Sequence, residues 1–213
     1  MSGTAPDRDE LDGQSIGDFL GQLSARVAAP GAGATAAVEA ALAASLVAMV
    51  GRFSTADEHA DVVAEIVAAA DGQRDACLRA AADDEAAFRD VADAMKLPHG
   101  TDEESDERRQ RLSRAQLAAT RPPLAVLRIA AELVSLAERV LPVANRNLVS
   151  DVAAATAAAR AAATTARLSV EANLPGIDDD ETRAGLAADV AGVEELARRA
   201  EQVEAAVREL MRR

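Results

Sequence analysis

Residues 26–53 read RVAAPGAGATAAVEAALAASLVAMVGRF and join a glycine turn to a long apolar run. Pro30 fixes its own φ angle and disfavours helix at the residue before it, so a helix arriving from the N-terminal side should end there. Gly31 and Gly33 permit backbone conformations that other residues adopt only at a cost. Thr35 is a suitable N-cap for the next helix, whose free N–H groups would bind an anion or oxyanion. From the glycines alone, a plain turn between two helices stays an open alternative.

The apolar run itself predicts a central helix. From Ala36 to Met49 only Glu39 and Ser45 are polar, and a helix without a polar face is buried on every side. At the usual rise such a helix spans about 20 Å, which is too short for a bilayer. We therefore expect the core helix of a soluble bundle, with the glycine turn at its buried end and no membrane as a partner.

The composition favours closely packed helices. The chain has 213 residues, enough for one core, with no Trp or Tyr and only three Phe. Ala, Val and Leu must fill that core, and dimerisation would bury more of their small apolar area. The sequence therefore predicts an all-α fold: a single-domain bundle of about five to seven helices around a buried central helix, dimerising through helix packing. We expect this domain over 14–213, after a flexible tail at 1–13.

Charge and metal-ligand composition argue against several classes of function. A net charge of −13 argues against nucleic acid as a partner, because phosphate binding needs a cationic surface. The lone cysteine, Cys77, offers neither a disulfide framework nor a thiolate cluster. His59 and His99 lie far apart in the sequence, so we expect no metal site. The N-terminus lacks a signal-peptide pattern, which predicts a cytoplasmic protein.

The rest of the chain shows helices separated by caps and prolines. Ser15 caps a short first helix, a long helix follows over about 56–95, and Thr101 begins a capping box before a charged, solvated helix. Pro122 and its neighbouring proline kink or interrupt that helix. A last amphipathic helix over about 182–211 should close the bundle.

Asp84 lies on the inward stripe of the long helix. Steps of three and four residues lead from Ala81 to Asp84 and then to Phe88, whereas Asp83 and Glu85 point elsewhere. An inward carboxylate is costly unless it is paired, hydrogen-bonded or used in chemistry. A carboxylate satisfied inside the core and a functional carboxylate both remain open.

A second polar group precedes the alanine-rich helix predicted at about 151–172. Residues 144–151 read ANRNLVSD, although taken singly these residues are also ordinary caps. Asp151 begins the inner face of this helix, and Asn173 falls near the same face about 33 Å away. No small ligand touches both within one subunit. An antiparallel second copy could bring them together, so a site that uses both would lie between subunits.

These segments, taken in order, resemble the formiminotetrahydrofolate cyclodeaminase and methenyltetrahydrofolate cyclohydrolase family over about residues 15–210. The family has a Pro-Gly-Gly-Gly-Ser turn, a later Met-Val, an Asp-x-x-Ala-Phe segment before a Leu-Pro break, a Gly-Asn-x-Asn-x-x-Ser-Asp segment and a late Asn-Leu. The corresponding segments here are 30–34, 49–50, 84–88, 97–98, 144–151 and 173–174.

The resemblance implies an all-helical dimer that acts on a one-carbon unit of tetrahydrofolate, with no cofactor beyond that substrate. Either ammonia leaves a 5-formimino group as the ring closes, or water opens 5,10-methenyltetrahydrofolate to the 10-formyl form. Both reactions need proton transfer at a tetrahedral carbon and donors for the developing charge. Asp84 and Asp151 are the predicted acid–base residues. The predicted substrate-binding residues are Pro30, Gly31, Gly33, Asn145, Asn147, Ser150 and Asn173.

The chain also departs from the family pattern. Ala32 and Ala34 stand where the turn usually has glycine and serine. The family's short segment with lysine and tyrosine is replaced by FSTADEH at 53–59, and Lys96 is the only lysine in the chain. The alternative is therefore a catalytically impaired helical homologue that serves as a ligand-binding or assembly protein.

Overall fold

A computed structural model describes residues 13–213, which contain eight α-helices and no strand. The helices are α1 Ile16–Leu23, α2 Ala32–Arg52, α3 Ala60–Met95, α4 Asp102–Ala119, α5 Arg121–Val140, α6 Val149–Asn173, α7 Asp180–Val190 and α8 Val193–Arg212. Six of them have 18 or more residues, so the predicted all-α bundle is confirmed. The predicted tail at 1–13 lies, except for Gly13, outside the described residues.

The central helix is α2, as predicted, but it is longer than the apolar pattern indicated. It packs against α3, α5 and α6, and eleven of its residues are buried. With 21 residues it measures about 31 Å, so length and composition alone would allow it to cross a membrane. The predicted length of 20 Å was wrong, and so was burial on every side, because Leu42 is 55% exposed.

The start of α2 differs from the prediction. Gly31 is the N-cap, and the carbonyl of Gly31 accepts both the backbone N–H and the hydroxyl of Thr35, each at 3.0 Å. Thr35 is therefore in the first helical turn and cannot be the N-cap. The helix begins at Ala32, directly after Gly31, so Gly33 is already inside the helix.

Helix α1 is capped as predicted but is shorter than predicted. The hydroxyl oxygen of Ser15 accepts the backbone N–H of Asp18 at 3.1 Å. The helix ends at Leu23, well before Pro30, and the Ser24 hydroxyl donates to the carbonyl of Gly21 at 3.0 Å. Such a side-chain bond to the last turn competes with continuation of the helix.

The connections between α3, α4 and α5 follow the sequence signals closely. Helix α3 runs unbroken through Gly72, and the capping box at Thr101 is present. Only Thr120 separates α4 from α5, and Pro122 and Pro123 lie in the first turn of α5. A missing N–H is tolerated there because the first turn has no partner for it.

The predicted final helix is in fact two helices. Helix α7 ends at Val190 and α8 begins at Val193, with Ala191 and Gly192 between them. Glycine is a weak helix former, which favours a break at this position. Helix α8 packs across α6 and α5, so it closes the bundle as expected.

Helix α6 runs antiparallel to α2, so the end of α6 lies beside the start of α2 and the start of α6 lies near the end of α2. Near the middle of the pair, the Thr165 hydroxyl donates to Glu39 at 3.2 Å. At one end, Asn173 shares a pocket with Gly31. At the other end, Asn145 donates from its side chain to the carbonyl of Phe53 at 3.2 Å.

Candidate active site

A pocket of about 340 Å³ lies where the start of α2, the second half of α3, the end of α4 and the end of α6 meet. Its walls are mainly apolar and carry a few polar groups, which is the usual make-up of a small-molecule site. The lining residues are Gly31, Ala32, Gly33, Asp84, Phe88, Val91, Met95, Gln116, Ala119, Leu168, Ser169, Ala172 and Asn173.

Asp84 points at the N-terminus of α2. Its carboxylate accepts a hydrogen bond from the backbone N–H of Ala34. Helix α2 has no side-chain cap of its own and no acidic residue in its first turn, so Asp84 supplies the negative charge that a helix N-terminus favours. The carboxylate turned inward by the helical stripe is thus hydrogen-bonded to backbone, and no arginine among residues 13–213 is paired with it.

Gly33 makes room for that carboxylate. A Cβ atom built on Gly33 would lie 1.9 Å from Oδ1 of Asp84 and 2.4 Å from Oδ2. No glycine among residues 13–213 has a positive φ angle. The expectation that Gly33 serves an unusual backbone conformation was therefore wrong, because Gly33 lies in regular helix. The absence of a side chain at Gly33 instead leaves room for the carboxylate of Asp84.

Burial raises the pKa of Asp84 from 3.8 to about 6. The hydrogen bond from Ala34 lowers the pKa and the nearby charge of Glu85 raises it, but removal from water is the largest cause. A carboxyl group with a pKa near 6 can both accept and return a proton close to neutral pH, which is the requirement for general acid–base catalysis. The pocket therefore holds a carboxyl group whose pKa lies close to neutral pH.

Two further backbone donors belong to residues that line this pocket. The intrahelical hydrogen bonds of α2 begin with the N–H of Thr35, and the N–H of Ala34 is engaged by Asp84. The N–H groups of Ala32 and Gly33 precede the first intrahelical bond and belong to residues of the pocket wall. They are suited to bind an oxygen that gains negative charge beside Asp84.

The end of α6 completes the pocket. The Asn173 side chain donates to the carbonyl of Ser169 at 2.9 Å, and the Ser169 hydroxyl donates to the carbonyl of Thr165 at 3.1 Å. Both bonds lie within α6 and hold these side chains on the pocket wall. Of the residues predicted from the sequence, this pocket brings together Gly31, Gly33, Asp84 and Asn173, while Pro30 is buried directly before them.

The other predicted site residues form a second cluster at the far end of α2. The backbone N–H of Asn145 donates to the Ser54 hydroxyl at 2.9 Å, and its Oδ1 accepts the N–H of Asn147 at 3.0 Å. Ser150 and Asp151 follow in the first turn of α6. None of these residues lines the pocket of Asp84. Within one chain the two clusters are separated by the length of α6, as expected from its sequence.

Sequence reasoning missed Gln116. It lies on the charged helix α4, which the pattern predicted to be only a solvated surface, yet it is part of the pocket wall. The signal that could have found it is the apolar residue spacing of Leu112, Ala115 and Ala119, which marks the buried face beside it.

Cys77 does not line this pocket, and it is not set up as a nucleophile. Burial raises the pKa of the Cys77 thiol to about 12, so it is protonated at neutral pH and is a poor nucleophile. Within residues 13–213, no three His, Cys, Asp or Glu side chains are grouped so as to hold a metal ion.

Comparison with known proteins gives a consistent result. The family model described as formiminotransferase-cyclodeaminase matches residues 15–192. A methenyltetrahydrofolate cyclohydrolase from Methylorubrum extorquens is 35% identical over 130 residues, which is 61% of this chain and 62% of the relative's own length. The crystal structure of formiminotetrahydrofolate cyclodeaminase from Thermotoga maritima is similar with a TM-score of 0.79 and 25% identity, covering 94% of this chain and 97% of that one.

Proposed function

Because the chain belongs to the formiminotransferase-cyclodeaminase family, we propose that it acts on a one-carbon unit of tetrahydrofolate and hydrolyses 5,10-methenyltetrahydrofolate to 10-formyltetrahydrofolate. The cyclohydrolase relative supports the reaction, and the match spans about three-fifths of that relative's length. The observation that carries the proposal is the carboxyl group of Asp84, which has a pKa of about 6 and shares its pocket with the first residues of α2, Ala32 and Gly33. We also propose a cytoplasmic location for this reaction.

In the proposed mechanism, ionised Asp84 takes a proton from a water molecule that attacks the bridging carbon between N5 and N10. The tetrahedral carbon keeps the hydroxyl group, and its oxygen is bound by the N–H groups of Ala32 and Gly33. Protonated Asp84 then returns its proton to N5 as the carbon–N5 bond breaks. The hydroxyl proton leaves to solvent as the formyl group forms, so one water is consumed and one proton is released.

The departures in the glycine turn are compatible with this mechanism. Ala34 contributes its backbone N–H to Asp84, and a backbone donor needs no serine side chain. Ala32 lies in regular helix without a positive φ angle, so glycine is not required there. The missing lysine and tyrosine belong to the segment 53–59, which adjoins the second cluster. Within one chain this segment lies away from the pocket of Asp84, and the proposed mechanism assigns no step to it.

A direct assay tests the proposed reaction. Purified protein is added to 5,10-methenyltetrahydrofolate and the loss of its near-ultraviolet absorbance is followed against buffer. Acceleration proportional to protein concentration supports the proposal. No acceleration, combined with no binding of 5-formyltetrahydrofolate by calorimetry, would leave the non-catalytic ligand-binding or assembly protein as the better explanation.

Loss of ammonia from 5-formiminotetrahydrofolate is the second candidate, because the similar crystal structure is that of a cyclodeaminase. The same carboxylate would serve it, since ring closure also passes through a tetrahedral carbon that exchanges protons with a nearby acid. Ammonia release from the 5-formimino substrate, measured beside the hydrolysis assay, separates the two reactions.

We further propose that the working unit is a homodimer with a site shared between subunits. The support is the exposed apolar face of the α2–α6 pair. Leu42 in α2 and Phe53 directly after its last residue are 55% and 61% exposed and eleven positions apart, which places both toward one side of α2. Leu168 on α6 is 59% exposed at the pocket. A two-fold axis near Leu42 would set the Phe53 end of each copy beside the pocket of the other. The cluster of Asn145 and Asp151 would then complete the site of Asp84.

Mixing two inactive variants tests the shared site. We expect Asp84→Asn and Asp151→Asn each to be impaired alone. When the two are unfolded together and refolded in equal amounts, half of the dimers carry one intact site, so about a quarter of the wild-type activity returns. Recovery at zero, with mixed dimers demonstrated by mass spectrometry, would place both carboxylates in one subunit. Normal activity of Asp151→Asn by itself would remove Asp151 from the mechanism.

A further inference from the structure

One polar group of the Asp84 pocket is unsatisfied. The Oε1 atom of Gln116 is buried and accepts no hydrogen bond from any residue that the structure describes. The neighbouring polar side chains are engaged, because Asp84 accepts from Ala34 and Asn173 donates to Ser169. Burying a carbonyl oxygen without a partner is costly, so its presence in a residue of the pocket wall calls for an explanation.

The carboxamide of Gln116 occupies space left by a glycine. A Cβ atom on Gly176 would lie 1.5 Å from Oε1 of Gln116 and 2.5 Å from its Nε2. Gly176 has no positive φ angle, so its backbone does not require glycine. The turn that follows α6 is therefore shaped around the carboxamide of Gln116 but offers it no hydrogen bond.

The same turn is fixed to α4 one helical step before Gln116. The backbone N–H of Asp178 donates to the Ser113 hydroxyl at 3.0 Å. Ser113 and Gln116 are three residues apart and share a face of α4. This bond holds Gly176 against Gln116 and keeps the carboxamide at the pocket wall.

The side-chain amide of Asn145, in the second cluster, is already committed. Asn145 uses Oδ1 on the N–H of Asn147 and Nδ2 on the carbonyl of Phe53. A ring amide that enters the Asp84 pocket therefore finds one carboxamide without a protein partner, that of Gln116.

On these grounds, and resting on the proposed folate substrate, we infer that Gln116 binds the pyrimidine edge of the pterin ring. That edge carries an N3–H donor and a 2-amino donor beside the 4-oxo acceptor. A carboxamide offers the complementary acceptor and donor pair. The terminal torsion of glutamine is soft, so the group can turn from Gly176 to meet the ring. Asp84 is then left free for proton transfer, and Gln116 sets which face of the one-carbon bridge it meets.

The first test replaces Gln116 by Met, which keeps the chain length and removes both hydrogen-bonding atoms. We expect KM for 5,10-methenyltetrahydrofolate and Kd for the unreactive 5-formyltetrahydrofolate each to rise about 10–100-fold, because a ring edge that loses its partner binds far more weakly. The kcat should change less than about 3-fold, because Gln116 touches no reacting atom. The matched control is Gln110→Met on the exposed side of the same helix, which should leave both constants unchanged.

A modified ligand separates recognition from packing. Methylation of N3 on 5-formyltetrahydrofolate removes the donor that Gln116 is inferred to bind. The wild-type chain should lose affinity for this probe, whereas Gln116→Met should bind the methylated and unmethylated forms alike. Equal losses in both proteins would assign Gln116 a packing role and overturn the inference.

Gly176→Ala gives a second route that leaves Gln116 in place. The added methyl overlaps the carboxamide and should raise Kd for 5-formyltetrahydrofolate to a similar extent as Gln116→Met. Gly185→Ala is the matched control, because a Cβ there meets nothing within 4 Å. If the wild type turns over and binds folate but these variants bind as well as wild type, this inference alone fails. If the wild type does neither, the proposed function fails with it.

Discussion

Replacement of Asp84 by Asn is expected to lower kcat for 5,10-methenyltetrahydrofolate by about 10²–10⁴-fold, the usual contribution of a positioned general base. Asparagine keeps the shape of the side chain and an oxygen for the N–H of Ala34, but it cannot take a proton from water. Substrate binding should be largely preserved, so KM should change far less than kcat. A rate measurement at saturating substrate decides the outcome, and unchanged turnover would remove Asp84 from the mechanism.

The pH profile gives the same prediction a second readout. Because the pKa of Asp84 is about 6, its active ionised form prevails above that value and is lost as pH falls below it. The wild-type rate should therefore drop about tenfold per pH unit below pH 6. The Asp84→Asn variant should lack this acidic limb and show only the slow residual rate.

Stability serves as the control against simple unfolding. The pKa of Asp84 is higher in the folded chain than the ordinary value of 3.8, so the folded state favours the protonated form. The contribution of Asp84 to the free energy of unfolding is therefore fully present below about pH 4. It is lost as the pH rises through 6, because the carboxylate is then ionised while it stays buried. Asp84→Asn should thus be more stable than wild type by about 1–3 kcal/mol at pH 8, with no difference below pH 4. Denaturant titrations at the two pH values measure this, and a variant less stable at pH 8 would contradict it.

Gly33→Ala is expected to reduce kcat by about 10²-fold or more, because the new Cβ occupies the position of the Asp84 carboxylate. The overlap at 1.9 Å forces the carboxylate away from the N–H of Ala34 and from the reacting carbon. Folding should survive, since alanine favours the helix by about 1 kcal/mol over glycine and the displaced carboxylate can reach water.

Gly72→Ala is the matched control for this second variant. Gly72 also lies inside a helix, but a Cβ there meets nothing within 4 Å. This control should gain about 0.5–1 kcal/mol of stability with normal activity. In an Asp84→Ala background the Gly33→Ala change should cost no further activity, because the clashing group is gone. Additive losses in the double variant would show that Gly33 acts by some other route.

The parts of the structure that local chemistry decides could be predicted from the sequence. The Ser15 cap, the Thr101 capping box and the inward position of Asp84 each depend on residues within one or two helical turns. The class of fold followed from composition and spacing. The order of the polar segments pointed to the family, and the comparisons confirm that the chain belongs to it.

The rest depends on contacts between residues far apart in the chain. Gln116 meets Gly176 across 60 positions, and nothing in either local pattern indicates the meeting. Gly33 is likewise required by a side chain on another helix, because a Cβ there would overlap the carboxylate of Asp84. The sequence suggested a need for backbone freedom at this position, whereas the structure shows a need for room. The early end of α1 and the break at Gly192 are marginal choices between helix and turn, which weak local preferences do not resolve.

Helices α2 and α6 pack through alanine side chains, so the length of α6 sets the separation between the Asp84 pocket and the second cluster. The methyl groups of Ala40, Ala44 and Ala162 are fully buried. Because alanine has no alternative rotamers, these side chains cannot adjust to a change in the register of the two helices. Inserting or deleting a single residue would rotate everything beyond it by about 100° and shift it by about 1.5 Å. Natural variation in this chain should therefore accumulate in the turns and in α7, whereas indels inside α6 should be eliminated by selection.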